Sequence, residues 1–153
     1  MADIASMGGE LFVMDDGWFG DKYPRKNDSS SLGDWVVDKN KLPNGIEGLL
    51  SDAKKHGVKF GIWIEPEMAN TTSELYEKHP DWVLKASERD VVLGRGGTQV
   101  VLDLANPAVQ DFVFGVVDNL MTSYPEIDYI KWDANMSVQN HGSQYLTKDN
   151  QSH

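Results

Sequence analysis

Asp128-Tyr129-Ile130-Lys131-Trp132-Asp133 is an apolar run with strand character that ends in a carboxylate. An acid at the carboxyl end of a parallel strand is where α/β barrels carry their chemistry. The same arrangement occurs twice upstream. Leu11-Phe12-Val13-Met14 runs into Asp15-Asp16-Gly17-Trp18, and Lys59-Phe60-Gly61-Ile62-Trp63-Ile64 runs into Glu65-Pro66-Glu67. Three strands that end in acids, with Trp beside them, suggest a carbohydrate site.

Helical segments separate these strands. Residues 1–9 read as the end of a helix stopped at Gly8-Gly9, and Glu10 to Met14 as a buried parallel strand. Ile46, Leu49, Leu50 and Ala53 recur at helical spacing after the turn Leu42-Pro43-Asn44-Gly45, with Gly57 as the stop. Asn106-Pro107 opens a second long helix as N-cap and first-turn proline, with Val109, Phe112, Val113, Val116, Val117, Leu120 and Met121 as its apolar stripe. A short helix is expected around 72–78, an extended piece at 81–84, a turn at 94–97 and a short strand at 99–104. Residues 135–153 read as a polar tail or loop without a core of its own. Strands alternating with helices in this order imply βαβ units and a parallel sheet, the α/β class. A complete eightfold barrel needs ~250 residues, so 153 residues fit part of one.

Composition narrows the function. Fourteen basic against twenty-four acidic residues give a net charge of -10, which argues against a nucleic-acid partner. No apolar run reaches the ~18 residues of a membrane span, and no signal-type segment follows Met1. The absence of Cys excludes disulfides and thiolate metal sites and is compatible with the cytoplasm. No metal-binding motif, dinucleotide fingerprint or P-loop is present, so neither metal nor cofactor is expected.

Residues two apart on a strand share a face, so Lys131 and Asp133 lie together while Ile130 and Trp132 face the other way. A neighbouring Lys favours the ionised carboxylate that a nucleophile needs. The alternative is an ion pair at a strand end. Asp15 and Asp16 suit acceptance of sugar hydroxyls, or one of them caps a turn. Glu65 and Glu67 read as structural, bonding backbone amides.

Taken with Gly33-Asp34-Trp35, Leu42-Pro43-Asn44-Gly45, His79-Pro80-Asp81-Trp82 and Val101-Leu102-Asp103-Leu104, the three strand strings resemble glycoside hydrolase family 36, the microbial α-galactosidases and their relatives. The resemblance runs from about residue 10 to residue 142. It implies a (β/α)8 barrel catalytic domain of which this chain holds about strands two to four, with residues 99–104 an excursion between the third and fourth. It implies retaining hydrolysis of terminal α-D-galactosides without a cofactor, by a homo-oligomeric parent. Position by position, Asp133 matches the nucleophile, and Asp15 and Asp16 the acids that bind galactose hydroxyls. Trp63 matches an aromatic wall, Arg95 a substrate-binding Arg, and Lys131, Trp132 and Asn135 sugar contacts. The family's usual Met-Asn-Arg after the nucleophile is here Ala134-Asn135-Met136, one basic group fewer. The family's acid/base comes from a later strand, so none of the carboxylates here takes that role. The rival reading is a non-catalytic fragment that binds galactose weakly or self-associates.

Overall fold

In the computed structural model, which describes residues 1–139 and 141–151, three parallel strands form the sheet that carries the site. Helix α1 (Ala2–Ser6) is short and leads through Gly8 into β1 (Leu11–Met14). After a long irregular segment, α2 (Gly45–Lys55) ends at His56, and Gly57 takes a positive φ of 68° that a side chain would resist. The chain then enters β2 (Lys59–Ile64). A separate hairpin follows: β3 (Met68–Asn70) pairs antiparallel with β4 (Gln99–Val101), and α3 (Glu74–Lys78), capped by the Ser73 hydroxyl, lies between them. Asn106 accepts a hydrogen bond from the Ala108 amide to open α4 (Pro107–Ser123), which leads to β5 (Tyr129–Trp132).

The sheet order is β1-β2-β5, both pairs parallel. β4 therefore stands outside the parallel sheet as an excursion, and β5 is its third strand. β3 is not among the expected strands: it is only three residues long, too short to show an apolar alternation. Gly61 lets β5 come close: a Cβ there would sit 3.0 Å from the Tyr129 carbonyl oxygen.

Phe60, Ile62 and Ile64 of β2 enter one apolar core with Ile46 and Ala53 of α2 and Val116 and Leu120 of α4. Each large side chain buried this way contributes about 1.5–3 kcal/mol. A second core joins the hairpin to α4 through Ala69, Val83, Val100, Leu102, Val109 and Val113. Among the described residues no helix is long and apolar enough to cross a membrane.

Three expectations need correction. β1 is half-exposed rather than buried, because it has a hydrogen-bonded neighbour on one side. The stretch 81–84 is not extended throughout. Pro80 starts a 3-10 turn over Pro80–Trp82, and Val83 alone bridges Leu102. The tail expected at 135–153 does dock, although Asn140, Ser152 and His153 of it lie outside the described residues. Ser143 is buried with its hydroxyl on Asp103, and Gln144 donates to the Val83 carbonyl at 3.0 Å.

Candidate active site

Strand register builds the site. Met14, Ile62 and Ile130 are aligned across the sheet, so the next row is Asp15, Trp63 and Lys131, whose side chains share the opposite face. Lys131 arches across β2 to donate to Asp15 Oδ2 at 2.8 Å. Asp15 Oδ1 accepts the Asp16 amide at 2.8 Å. The Lys131 bond first, and that amide second, hold the Asp15 carboxyl below its usual range, while Asp15 holds Lys131 above its own.

Asp133 follows one step on. Its amide donates to the Ile64 carbonyl at 2.9 Å, continuing the sheet past the end of β5. Its Oδ2 accepts the Trp63 indole N–H at 3.0 Å and its Oδ1 accepts the Ala134 amide at 3.0 Å. The Trp63 bond first, then the Asn135 side chain, hold the Asp133 carboxyl below the ordinary aspartate range. Two neighbours behave oppositely. Burial pushes the Glu65 carboxyl up against the Asn135 amide, which donates to its Oε1 at 2.6 Å, and the charges of Glu67 and Asp133 add to the push. Burial also pushes up Glu67, which accepts the Trp132 indole at 2.7 Å. The strand ends thus combine two carboxylates kept ionised with two held toward neutrality.

The other expected residues divide. Trp63 is 2% exposed, stacked on Phe19 at 6.2 Å and 3°, so it offers Asp133 an N–H edge rather than an open ring face. The Asn135 side chain hydrogen-bonds Asp133. Asp16 turns away into a two-point pair with Arg25, Nε to Oδ1 at 3.0 Å and Nη2 to Oδ2 at 2.7 Å. Arg25, buried in the loop, also donates to Asn70 Oδ1 and the Ser30 carbonyl. Arg95 is exposed and pairs with Asp28 at 3.5 Å, the same aspartate that Arg25 meets. Trp132 is aligned with Ile64 and lines an apolar cleft with Leu104, Val113, Phe114 and Val117, on the α4 side of the sheet. Strand alternation alone predicts that placement, against its inclusion among the sugar contacts.

Glu65 does bond a backbone amide, as its sequence reading expects, and the amide is that of Asn135, whereas nothing in the sequence points to Arg25. Asn70, which Arg25 reaches beyond its local partners, and Asn135 lie far along the chain, and no local pattern announces them. The broad cleft of about 780 Å³ between loop 33–37, α3 and α4 includes none of the strand-end acids. Among the described residues no group of acids and histidines is arranged to hold a metal.

Comparison with known proteins adds to this geometry. The sequence profile of the Melibiase family matches residues 1–153. Alpha-galactosidase AgaA of Geobacillus stearothermophilus is 45% identical over 147 residues, which cover 96% of this chain and 19% of that protein. A probable alpha-galactosidase C of Aspergillus flavus is 47% identical over 143 residues, 89% of this chain and 19% of its own. Among solved structures, a GH36 AgaA variant in complex with raffinose superposes with a TM-score of 0.88 at 43% identity, over 98% of this chain and 20% of that one. The alpha-galactosidase of Lactobacillus brevis superposes at 0.86 and 44% identity, over 95% of this chain and 19% of that one. The chain spans about a fifth of the length of the relatives it matches.

Proposed function

This chain belongs to the melibiase family, and from that premise we propose that it supplies the nucleophile half of a retaining α-galactosidase site, with Asp133 as the nucleophile. The observation that carries the reading is the Asp133 carboxylate itself. It is fixed by the Trp63 indole and the Ala134 amide and kept ionised by them and by Asn135, the state from which a carboxylate attacks.

In the proposed reaction Asp133 bonds to the anomeric carbon of an α-galactoside as the glycosidic bond breaks, through an oxocarbenium-like transition state. The departing oxygen takes a proton from an acid outside these 153 residues, at the ~5 Å spacing that retaining enzymes use. Water then releases galactose from the β-galactosyl-enzyme and restores the Asp133 carboxylate. Asp15 and Lys131, joined across the site, present an acceptor and a donor to the ring hydroxyls, so binding energy positions the reacting carbon. Raffinose- and melibiose-type galactosides are the proposed substrates, in keeping with relatives solved in complex with raffinose and with stachyose.

A graft tests this. The 153 residues replace the matching fifth of AgaA, and the chimera is assayed on an aryl α-galactoside. Asp133→Gly should lower turnover roughly 10³-fold or more. Added azide should restore consumption of the substrate and give the β-galactosyl azide, the opposite anomer, because azide attacks from the vacated side. An Asp133→Gly chimera that still hydrolyses the galactoside unaided moves the nucleophile elsewhere. The 153 residues alone are expected to bind galactose weakly without turning it over.

A further inference from the structure

Glu65 is nearly fully buried, titratable and unused by the proposed reaction. Pro66 follows it, which biases Glu65 toward extended backbone and carries the direction of β2 one residue further. Its carboxylate therefore lands beside segment 133–135. Three successive residues of one strand end grip that segment. The Trp63 indole holds the Asp133 carboxylate at 3.0 Å, the Ile64 carbonyl holds the Asp133 amide at 2.9 Å, and Glu65 Oε1 holds the Asn135 amide at 2.6 Å. The Asn135 side chain in turn hydrogen-bonds both Asp133 and Glu65.

We propose that Glu65 is a positioning residue for Asp133: by holding the Asn135 amide it fixes the turn after β5 and keeps the Asp133 carboxylate seated on Trp63. The charges that face Glu65 are Asp133, from the end of β5, and Glu67, two residues along its own segment. Both are negative, so among the described residues the Asn135 bonds are what chiefly opposes the burial of the carboxylate. Glu65 therefore titrates above the usual glutamate range, and protonation removes the charge that makes its bond to Asn135 strong. The catalytic meaning of the device rests on the reading of Asp133 as nucleophile, but its geometry can be tested without any activity.

The test is NMR of the 153-residue chain across pH, read at the Asn135 amide, the Trp63 indole N–H and the Asp133 carboxyl carbon. The Asn135 amide proton should lie far downfield and move in one step as Glu65 titrates, with the Trp63 indole following in the same step. Glu65→Gln keeps an acceptor for the amide, so Trp63 and the low Asp133 midpoint should stay in place. Glu65→Leu is equally uncharged but offers no acceptor. Its Asp133 midpoint should rise about one to two pH units above that of Glu65→Gln, and the indole resonance should move. A folded Glu65→Leu chain with the same Asp133 midpoint as Glu65→Gln overturns the proposal. If Glu65→Leu does not fold, the wild-type titration decides: an Asn135 amide that stays flat while Glu65 titrates is fatal to it. Because azide rescue of the chimera depends on Asp133 and not on Glu65, the two readings fail separately.

Discussion

β2 and β5 are hydrogen-bonded neighbours with similar apolar sequences, yet five of the six β2 residues are buried and none of the four in β5 is. β2 has a strand on each side and lies under α2 and α4, whereas β5 bonds to β2 alone and leaves Tyr129 and Trp132 half-exposed. An apolar strand sequence states a capacity for burial, and neighbours decide how much of it is used. The chemistry sits at the seam. Asp133 extends from the half-covered strand and is held by the side chain of Trp63 and the backbone of Ile64 in the covered one.

The contrast can be broken by matched truncations. Ile62 and Ile130 are register partners. Ile62→Ala, at a site with 0% exposure, should cost ~2–5 kcal/mol in urea unfolding. Ile130→Ala, half-buried on β5, should cost only about 1 kcal/mol. Equal costs would mean that the covering neighbours are not the cause.

The seam can be sharpened by Trp63→Phe, which keeps a ring in the core and removes the N–H on Asp133. The Asp133 midpoint, read by carboxyl carbon shifts, should rise by about one to two pH units toward the ordinary value. If it stays low, Asn135 and Ala134 suffice to hold it.

A pH series of unfolding separates the two kinds of acid. Glu65 binds its proton more tightly folded than unfolded, so stability should increase as pH falls through its raised midpoint toward the unperturbed 4.5. Asp15 and Asp133 bind theirs more weakly folded, so what they contribute is present above the unfolded value of 3.8 and disappears as pH falls through their lowered midpoints. Stability should therefore pass through a maximum on the acid side, and Glu65→Gln should flatten its upper limb. The smallest effect is expected at Phe114, 68% exposed at the rim of the cleft beside Trp132. Phe114→Ser should change unfolding stability by no more than about 0.5 kcal/mol.

Much of this was legible where the signal is local. Asn106-Pro107 set the start of α4 and Gly57 the end of α2, because caps and turns act within a few residues. The three acid-tipped strands were readable from their apolar runs, and alternation placed Lys131 with Asp133 and Trp132 opposite. The hairpin partner β3, the docking of Ser143 on Asp103, the hold of Arg25 on Asn70 and the identity of the amide that Glu65 bonds were not readable. Each joins residues 29 to 70 positions apart, where sequence spacing carries no distance. Asp16 shows the same limit: adjacent to Asp15 in sequence, it leaves the row for a buried Arg25 that only the folded loop brings to it.

The most direct test of the account is to trap the proposed intermediate. The chimera is incubated with a fluorinated α-galactosyl fluoride, whose fluoride departs without an acid and whose ring fluorine slows release, and is then digested for mass spectrometry. The account predicts that the added sugar mass falls on the peptide containing Lys131-Trp132-Asp133 and fragments to Asp133. A sugar attached at Asp15, Glu65 or Glu67, or at an acid outside the grafted residues, would contradict it.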